Sequence, residues 1–248
     1  MNRFIDKSVV VTGGASGFGK AIAEKFAGEG ASVAVADLDF DGAQAVAEAL
    51  PDALAFKIDV ADEAMNQALV ARAVDAFGKI DVYCANAGVP HLAQPMVSMK
   101  VADFDRMFAI NVRSVFLAAK YAVPHMPEGS SLISTASIGG KRPRPGLTPY
   151  NASKGALITL TRGLAAELAP KIRVNCLCPV SSATGFDLNA TGVAELPEDM
   201  DAAVVGGIPM GRRASPDDVA GAYAFLASTD AAFLTGVCLD VDGGRSIQ

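Results

Sequence analysis

The chain has no tryptophan, only two histidines and only four cysteines in 248 residues. His91 and His125 stand near no cysteine pair, so the usual zinc ligand sets are excluded and no metal is expected. Cys84, Cys176, Cys178 and Cys238 form no disulfide framework and fit a reducing cytoplasm. Cys176 and Cys178 sit two apart in an apolar run. A metal pair is one reading; two small buried hydrophobes on one face of a strand is the favoured one. Positive charge is also short: 21 Lys and Arg against 27 Asp and Glu leave a net charge of −6. That balance argues against a nucleic-acid partner held through phosphates. No apolar run approaches the ~20 residues of a membrane helix, so no membrane partner is expected. The first apolar run, in MNRFIDKSVVVTGG, leads straight into a Gly-rich turn and reads as a strand, not a signal peptide.

Apolar residues, by contrast, make up 51% of the chain and charged residues 19%, enough to bury a large core. Short β-rich runs alternate with helical patterns along the whole length. Strands are expected at Ser8–Val11, Ser32–Asp37, Ala53–Ile58, Val82–Ala85, Ser131–Ser134, Arg173–Cys178 and Val237–Val241. Helices are expected near Gly17–Gly28, Gly42–Leu50, Glu63–Phe77, Asp103–His125, Tyr150–Leu168 and Pro216–Ala227. Alternation of this kind predicts an α/β fold: a Rossmann-type, doubly wound parallel sheet of about seven strands with helices on both faces. One domain over residues 1–248 accounts for the pattern. The stretch from Val180 to Arg213 breaks the alternation and reads as a substrate lid at about 180–213.

The first strand is followed by Thr12-Gly13-Gly14-Ala15-Ser16-Gly17-Phe18-Gly19 and then a helix. Glycines let a backbone turn sharply and approach a pyrophosphate, and the helix N-terminus offers free N–H groups. Gly13, Ser16, Gly17, Phe18 and Gly19 are therefore candidate phosphate-loop residues; an ordinary glycine turn is the competing reading. Asp37 ends the second strand at the distance expected of a ribose-binding acid. Its charge would repel a 2′-phosphate, and Leu38 beside it is not basic, so NAD is expected over NADP. Asp39 and Asp41 read as solvated turn acids.

Tyr150-Asn151-Ala152-Ser153-Lys154 puts Tyr150 and Lys154 one helical turn apart on one face. A phenol titrates near pH ~10, and bringing it to neutrality takes ~3 units, or ~4 kcal/mol. A neighbouring ammonium and an oxidised nicotinamide are charges of the right sign. Taken alone, a Tyr–Lys pair is more often a surface feature.

Together, the Gly-x-x-x-Gly-x-Gly turn, the Tyr-x-x-x-Lys pair and Ser137, thirteen residues before Tyr150, resemble the short-chain dehydrogenase/reductase family. The resemblance extends from Lys7 to Ser246 and includes Asp59-Val60, Asn86-Ala87-Gly88, Asn111 and Asp242-Gly243-Gly244. It implies an oxidoreductase that interconverts a secondary alcohol and a ketone with NAD(H). In that family Tyr150 would trade the proton, and Lys154 would lower its pKa and hold the nicotinamide ribose. Ser137 would hydrogen-bond the substrate oxygen, and Asn111 would hold a water linking Lys154 to solvent. Asp59 and Val60 would flank the adenine, Asn86, Ala87 and Gly88 would line the adenosine and ribose side, and Thr184 would touch the carboxamide. Ser134 is the rival to Ser137, separated from it only by spacing. Where the family usually has Pro-Gly, this chain has Pro179-Val180, which puts the path of Ser181–Ala183 in question.

The substrate pocket is expected between Ile138–Thr148, the segment after Gly88, and the lid. Lys141, Arg142 and Arg144 either draw an anionic substrate or belong to a solvated loop or subunit contact. Leu92, Met96, Leu147 and Phe186 suggest an apolar wall. Chain pattern and length are similar to bacterial 3-oxoacyl-carrier-protein reductases, glucose dehydrogenases and cyclic alcohol dehydrogenases. The resemblance also implies a homotetramer, for which Ala152, Gly155, Ala156 and Gly163 would permit close helix approach; packing on the sheet is the alternative. A non-catalytic NAD-sensing module would have no use for Ser137, Tyr150 and Lys154 at these spacings. A nucleotide-sugar epimerase would carry a different Gly spacing and a longer C-terminal part.

Overall fold

The computed structural model describes residues 2–182, 190–193 and 197–247. Seven parallel strands form one sheet in the order β3-β2-β1-β4-β5-β6-β7. They are β1 (Ser8–Thr12), β2 (Ser32–Asp37), β3 (Ala53–Lys57), β4 (Val82–Ala85), β5 (Ser130–Thr135), β6 (Ile172–Pro179) and β7 (Cys238–Val241). The principal described helices are α1 (Gly17–Gly28), α2 (Phe40–Glu48), α3 (Glu63–Phe77), α4 (Val101–Phe108), α5 (Ser114–Ala122), α6 (Thr148–Leu168), α7 (Glu198–Gly206) and α8 (Pro216–Ala227).

Strand periodicity divides the core. Val9 and Val11 of β1 face one layer with Ile22, Phe26 and Tyr223; Val10 faces the other with Leu69, Val115 and Leu157. Both faces are covered, which is why β1, β4, β5 and β6 are buried along their whole length. Local chemistry sets the helix ends. Asp62 accepts from Met65 N–H at the start of α3, and Gly78 at φ +79° ends it. Ser215 and Asp218 form a reciprocal capping box at α8. Asp39, expected to be a solvated turn acid, instead caps α2 by accepting from Gly42 N–H at 3.1 Å.

Chain order reverses between β1 and β4, and a ligand crevice opens beyond the strand ends at such a switch point. Two expectations need correction there. The helix expected over Asp103–His125 begins at Val101 and is interrupted by a π-turn over Ala109–Arg113, closing with a 3₁₀ turn at Val123–His125. The stretch from Val180 to Arg213 is not irregular throughout. It contains α7, which is pinned where Arg213 pairs with Asp201 at 2.5 Å and Arg245 donates to the Gly207 carbonyl at 2.7 Å.

Candidate active site

The turn after β1 is too tight for side chains. Gly13 and Gly17 lie at φ +67° and +52°, and a Cβ on Gly19 would stand 1.8 Å from the Gly13 carbonyl oxygen. Gly19 thus lets α1 begin against the loop; it does not itself line the cleft, whereas Gly13, Ser16, Gly17 and Phe18 do. Ser16 is the N-cap of α1 and makes no side-chain cap bond, so the first-turn amides are left for an anion.

Asp37 lines the same cleft at the end of β2, with Leu38 exposed beside it. One Asp37 oxygen accepts from Ala15 N–H at 2.9 Å and the other from Asp39 N–H at 3.0 Å. A carboxylate has about four acceptor positions, so capacity remains for hydroxyls. Next along the wall, Asp59 accepts from Ala61 N–H at 2.9 Å and pairs with Arg106 at 3.0 Å. Burial pushes the Asp59 carboxyl up, but these partners outweigh it and hold it below its ordinary value. Val60 lines the cleft beside it, as does Arg106, which no spacing in the sequence singles out.

Asn86, Ala87 and Gly88 also line the cleft, yet the Asn86 side chain is turned to the scaffold. It donates to the carbonyls of Thr12 at 3.1 Å and Gly13 at 3.3 Å, and accepts from Thr135 Oγ1 at 2.9 Å. Asn86 therefore rivets the phosphate turn to β5. At Gly88 the approach is close: a Cβ would meet Lys154 Nζ at 3.0 Å and Asn111 Oδ1 at 3.2 Å.

Tyr150 and Lys154 converge on this end of the cleft, both buried, with Lys154 Nζ 5.8 Å from the Tyr150 ring centroid. Nζ donates to the Thr135 carbonyl at 2.8 Å. Ser137 Oγ accepts from Gly139 N–H at 3.0 Å and hydrogen-bonds Tyr150. The rival, Ser134, is fully buried against Thr161 and does not line the cleft. Burial pushes the Tyr150 phenol up to about 12, while the Ser137 bond and the Arg144 charge pull it down. Burial also brings the Lys154 ammonium down to about 8. The expected lowering of the phenol pKa called on both the ammonium and an oxidised nicotinamide, and the free protein holds only the first of these charges. Desolvation dominates in the free protein, and one of the three ammonium hydrogens is given to the Thr135 carbonyl.

Asn111 sits in the π-turn. Its Oδ1 accepts from Val89 N–H at 2.8 Å, and its Nδ2 donates to the Val89 carbonyl at 2.9 Å and to Ser153 Oγ at 3.0 Å. Both Nδ2 hydrogens are thereby used, bracing the cleft floor to α6, while Oδ1 keeps one lone pair beyond the Val89 bond.

Pro179, Val180, Ser181 and Ser182 form the next wall. Val180, the residue in place of the usual glycine, is buried among core residues, and its N–H donates to the Val241 carbonyl at 3.2 Å. The chain continues beside Ala214, in parallel register with Ser182. Thr184 and Phe186 lie outside the described residues. Ser182 was not foreseen: its hydroxyl is buried, has no partner among the described residues and borders the cleft. Lys141, Arg142 and Arg144 part company. Lys141 pairs with Asp240 at 2.6 Å, and Arg142 donates to the Arg245 carbonyl at 2.7 Å. Arg144 borders the cleft.

The cleft encloses about 410 Å³ and runs from Asp37 to Tyr150. Its fit to a dinucleotide rests on the glycine cradle a Cβ would fill, the uncapped start of α1 and the orphaned Ser182 hydroxyl. Among the described residues, no group of His, Cys, Asp or Glu is placed to hold a metal, and no helix is long and apolar enough to cross a membrane.

Such a sheet, phosphate turn and Ser–Tyr–Lys cluster define a nicotinamide-dinucleotide oxidoreductase. A family model described as enoyl-(acyl carrier protein) reductase matches residues 13–246. The chain is 44% identical over 245 residues to 4-formylbenzenesulfonate dehydrogenase of Comamonas testosteroni, covering 96% of this chain and 97% of that one. It is 39% identical over 248 residues to cis-4-hydroxycyclohexanecarboxylate dehydrogenase of Sinomonas cyclohexanicum, covering 97% of each. A crystal structure of 3-ketoacyl-(acyl-carrier-protein) reductase from Brucella melitensis, complexed with NADH, superposes with a TM-score of 0.90 at 40% identity, covering 98% of this chain and 99% of that one. The chain belongs to the short-chain dehydrogenase/reductase family and is an oxidoreductase that uses a nicotinamide dinucleotide.

Proposed function

We propose that the protein interconverts a secondary alcohol and a carbonyl compound with NAD(H), with Tyr150 as the acid/base. The observation that carries this reading is the convergence of Tyr150, Ser137 and Lys154 at one end of a cleft whose other end is the glycine turn and Asp37. When bound, the dinucleotide supplies the hydride acceptor or donor. Gly13, Ser16, Gly17 and Phe18 would hold its phosphates, with Gly19 making room for the turn. Asp37 would take the adenosine ribose hydroxyls beside Leu38, and Asp59 and Val60 would flank the adenine. Asn86, Ala87 and Gly88 would shape the middle of the channel. Pro179, Val180 and Thr184 would bound the nicotinamide end, with the Ser182 hydroxyl available to it.

The proton steps belong to this chain. The Tyr150 hydroxyl gives its proton to a carbonyl oxygen, or takes one from an alcohol. Ser137 Oγ accepts from Gly139 N–H, which leaves its one proton for Tyr150 in the free protein and for the substrate oxygen in the complex, where it would steady developing charge. Lys154, aimed by Thr135, stands behind the phenol and the ribose site. Asn111 acts through Ser153 and Val89 as a positioning residue. NAD is preferred because Asp37 carries negative charge where a 2′-phosphate would lie. The segment over 180–213 serves as a substrate lid, its far half anchored by Arg213 and Arg245.

We further infer a cytoplasmic homotetramer. Phe116 is half-exposed on α5, Ala152 and Gly163 are open on α6, and the four cysteines are free thiols. The deciding experiment for the reaction is Tyr150→Phe. NADH binding is expected to persist while turnover falls by about 10²–10⁴-fold. Undiminished turnover would remove Tyr150 from the mechanism.

A further inference from the structure

The two ends of the cleft differ in charge. Asp37 follows β2 and Ser137 follows β5, three strand spacings apart, so about 14 Å separates the acidic end from the tyrosine end. The other acid in the wall, Asp59, is neutralised by Arg106. At the tyrosine end the balance among the described residues is positive. Lys154 is buried and held by the Thr135 carbonyl behind the phenol, where it serves Tyr150 and the ribose site. Arg144 borders the cleft, and among the described residues no carboxylate pairs with it. Its loop neighbours are both tied to the C-terminal segment, Lys141 to Asp240 and Arg142 to the Arg245 carbonyl.

Arg144 also starts from a fixed place. Its carbonyl accepts from Asn151 Nδ2 at 2.9 Å, and the Gly146 carbonyl two residues on accepts from Gln94 N–H at 3.1 Å. The loop is thereby fastened to α6 on one side and to the segment after Gly88 on the other. The remaining wall near Tyr150 is apolar: Val89, Pro90, Ile138 and Val180. The result, among the described residues, is an apolar slot with a hydroxyl relay in its wall and an unpaired guanidinium at its border.

Resting on the oxidoreductase reading above, we infer that Arg144 is the specificity-determining anchor for an oxyanion carried by the substrate, a carboxylate or sulfonate set across an apolar body from the reacting carbon. A guanidinium meets either group through paired N–H donors. The apolar walls favour a ring or short branched chain as the body between them.

The test compares three alicyclic secondary alcohols bearing, across the ring, a carboxylate, its methyl ester or a trimethylammonium group. In the wild type, kcat/KM for the carboxylate is expected to exceed that for the ester by about 10–100-fold, chiefly through KM, with the cation poorest. Arg144→Gln should bring the carboxylate-to-ester ratio to near unity, Arg144→Lys should restore part of it, and Arg142→Gln should leave it as in wild type. Using the ratio cancels any effect of the Arg144 charge on Tyr150, which both substrates share. In parallel, calorimetry measures binding of the ring carboxylate lacking a hydroxyl to the NADH complex, and Arg144→Gln is expected to weaken it by about tenfold or more. Equal kcat/KM for carboxylate and ester, or a preference that survives Arg144→Gln, would overturn the anchor. If no alcohol turns over, the oxidoreductase reading fails, and the calorimetric comparison still decides whether Arg144 holds the anion.

Discussion

Lys154 Nζ lies 5.8 Å from the centre of the Tyr150 ring and gives its hydrogen bond to the Thr135 carbonyl at 2.8 Å. The two groups are adjacent, and burial shifts both toward their neutral forms. A buried ammonium of this kind costs stability in return for function.

Lys154 makes that cost measurable. Its pKa falls from 10.5 to about 8 on folding. Below pH 8 both states hold the proton and the penalty is complete. Between the two values the unfolded chain binds more protons, so stability rises with pH. Lys154→Met should therefore be more stable than wild type at pH 7, by on the order of 3 kcal/mol less the loss of the Thr135 bond. Denaturation across pH 7–10.5 should show the gain shrinking as pH rises. A gain independent of pH would contradict a charged, buried lysine.

Ser182 carries a buried hydroxyl with no partner among the described residues, and that predicts opposite effects on two measurements. Ser182→Ala should stabilise the free protein by about 1 kcal/mol, since an unsatisfied buried group costs about 1–3 kcal/mol. The same change should weaken NADH binding, read by fluorescence titration, by severalfold. Unchanged affinity would remove Ser182 from the cofactor site.

Asn111 closes three buried bonds through one side chain, to Val89 N–H, the Val89 carbonyl and Ser153. Asn111→Ala should lower stability by about 2–3 kcal/mol, or roughly 5–10 °C in Tm. Asn111→Asp cannot donate to Val89 or Ser153 and should fare little better. Thermal unfolding with and without NADH checks both.

Asp37 both anchors the loop, through Ala15 N–H, and sets charge at the ribose end. Asp37→Ser should weaken NAD use by about tenfold or more. Only the double change Asp37→Ser with Leu38→Arg should reverse the ratio of kcat/KM for NAD and NADP, because the arginine supplies a partner for a 2′-phosphate. An NADP preference in the wild type would contradict the role given to Asp37.

Much of this molecule follows from local rules in the chain. Strand and helix order, the turn from Gly13 to Gly19 and the one-turn spacing of Tyr150 and Lys154 come from side-chain period and from glycine's lack of a Cβ, which act over a few residues. Tertiary structure alone decided which side chains the cleft uses. It buried Ser134 away from the cleft, gave Asn86 and Asn111 bracing hydrogen bonds, put Val180 into the core and separated Arg144 from Lys141 and Arg142. It also brought Arg106 to Asp59 and left Ser182 without a partner. Those outcomes depend on hydrogen bonds and burial between segments tens of residues apart, which no local spacing encodes.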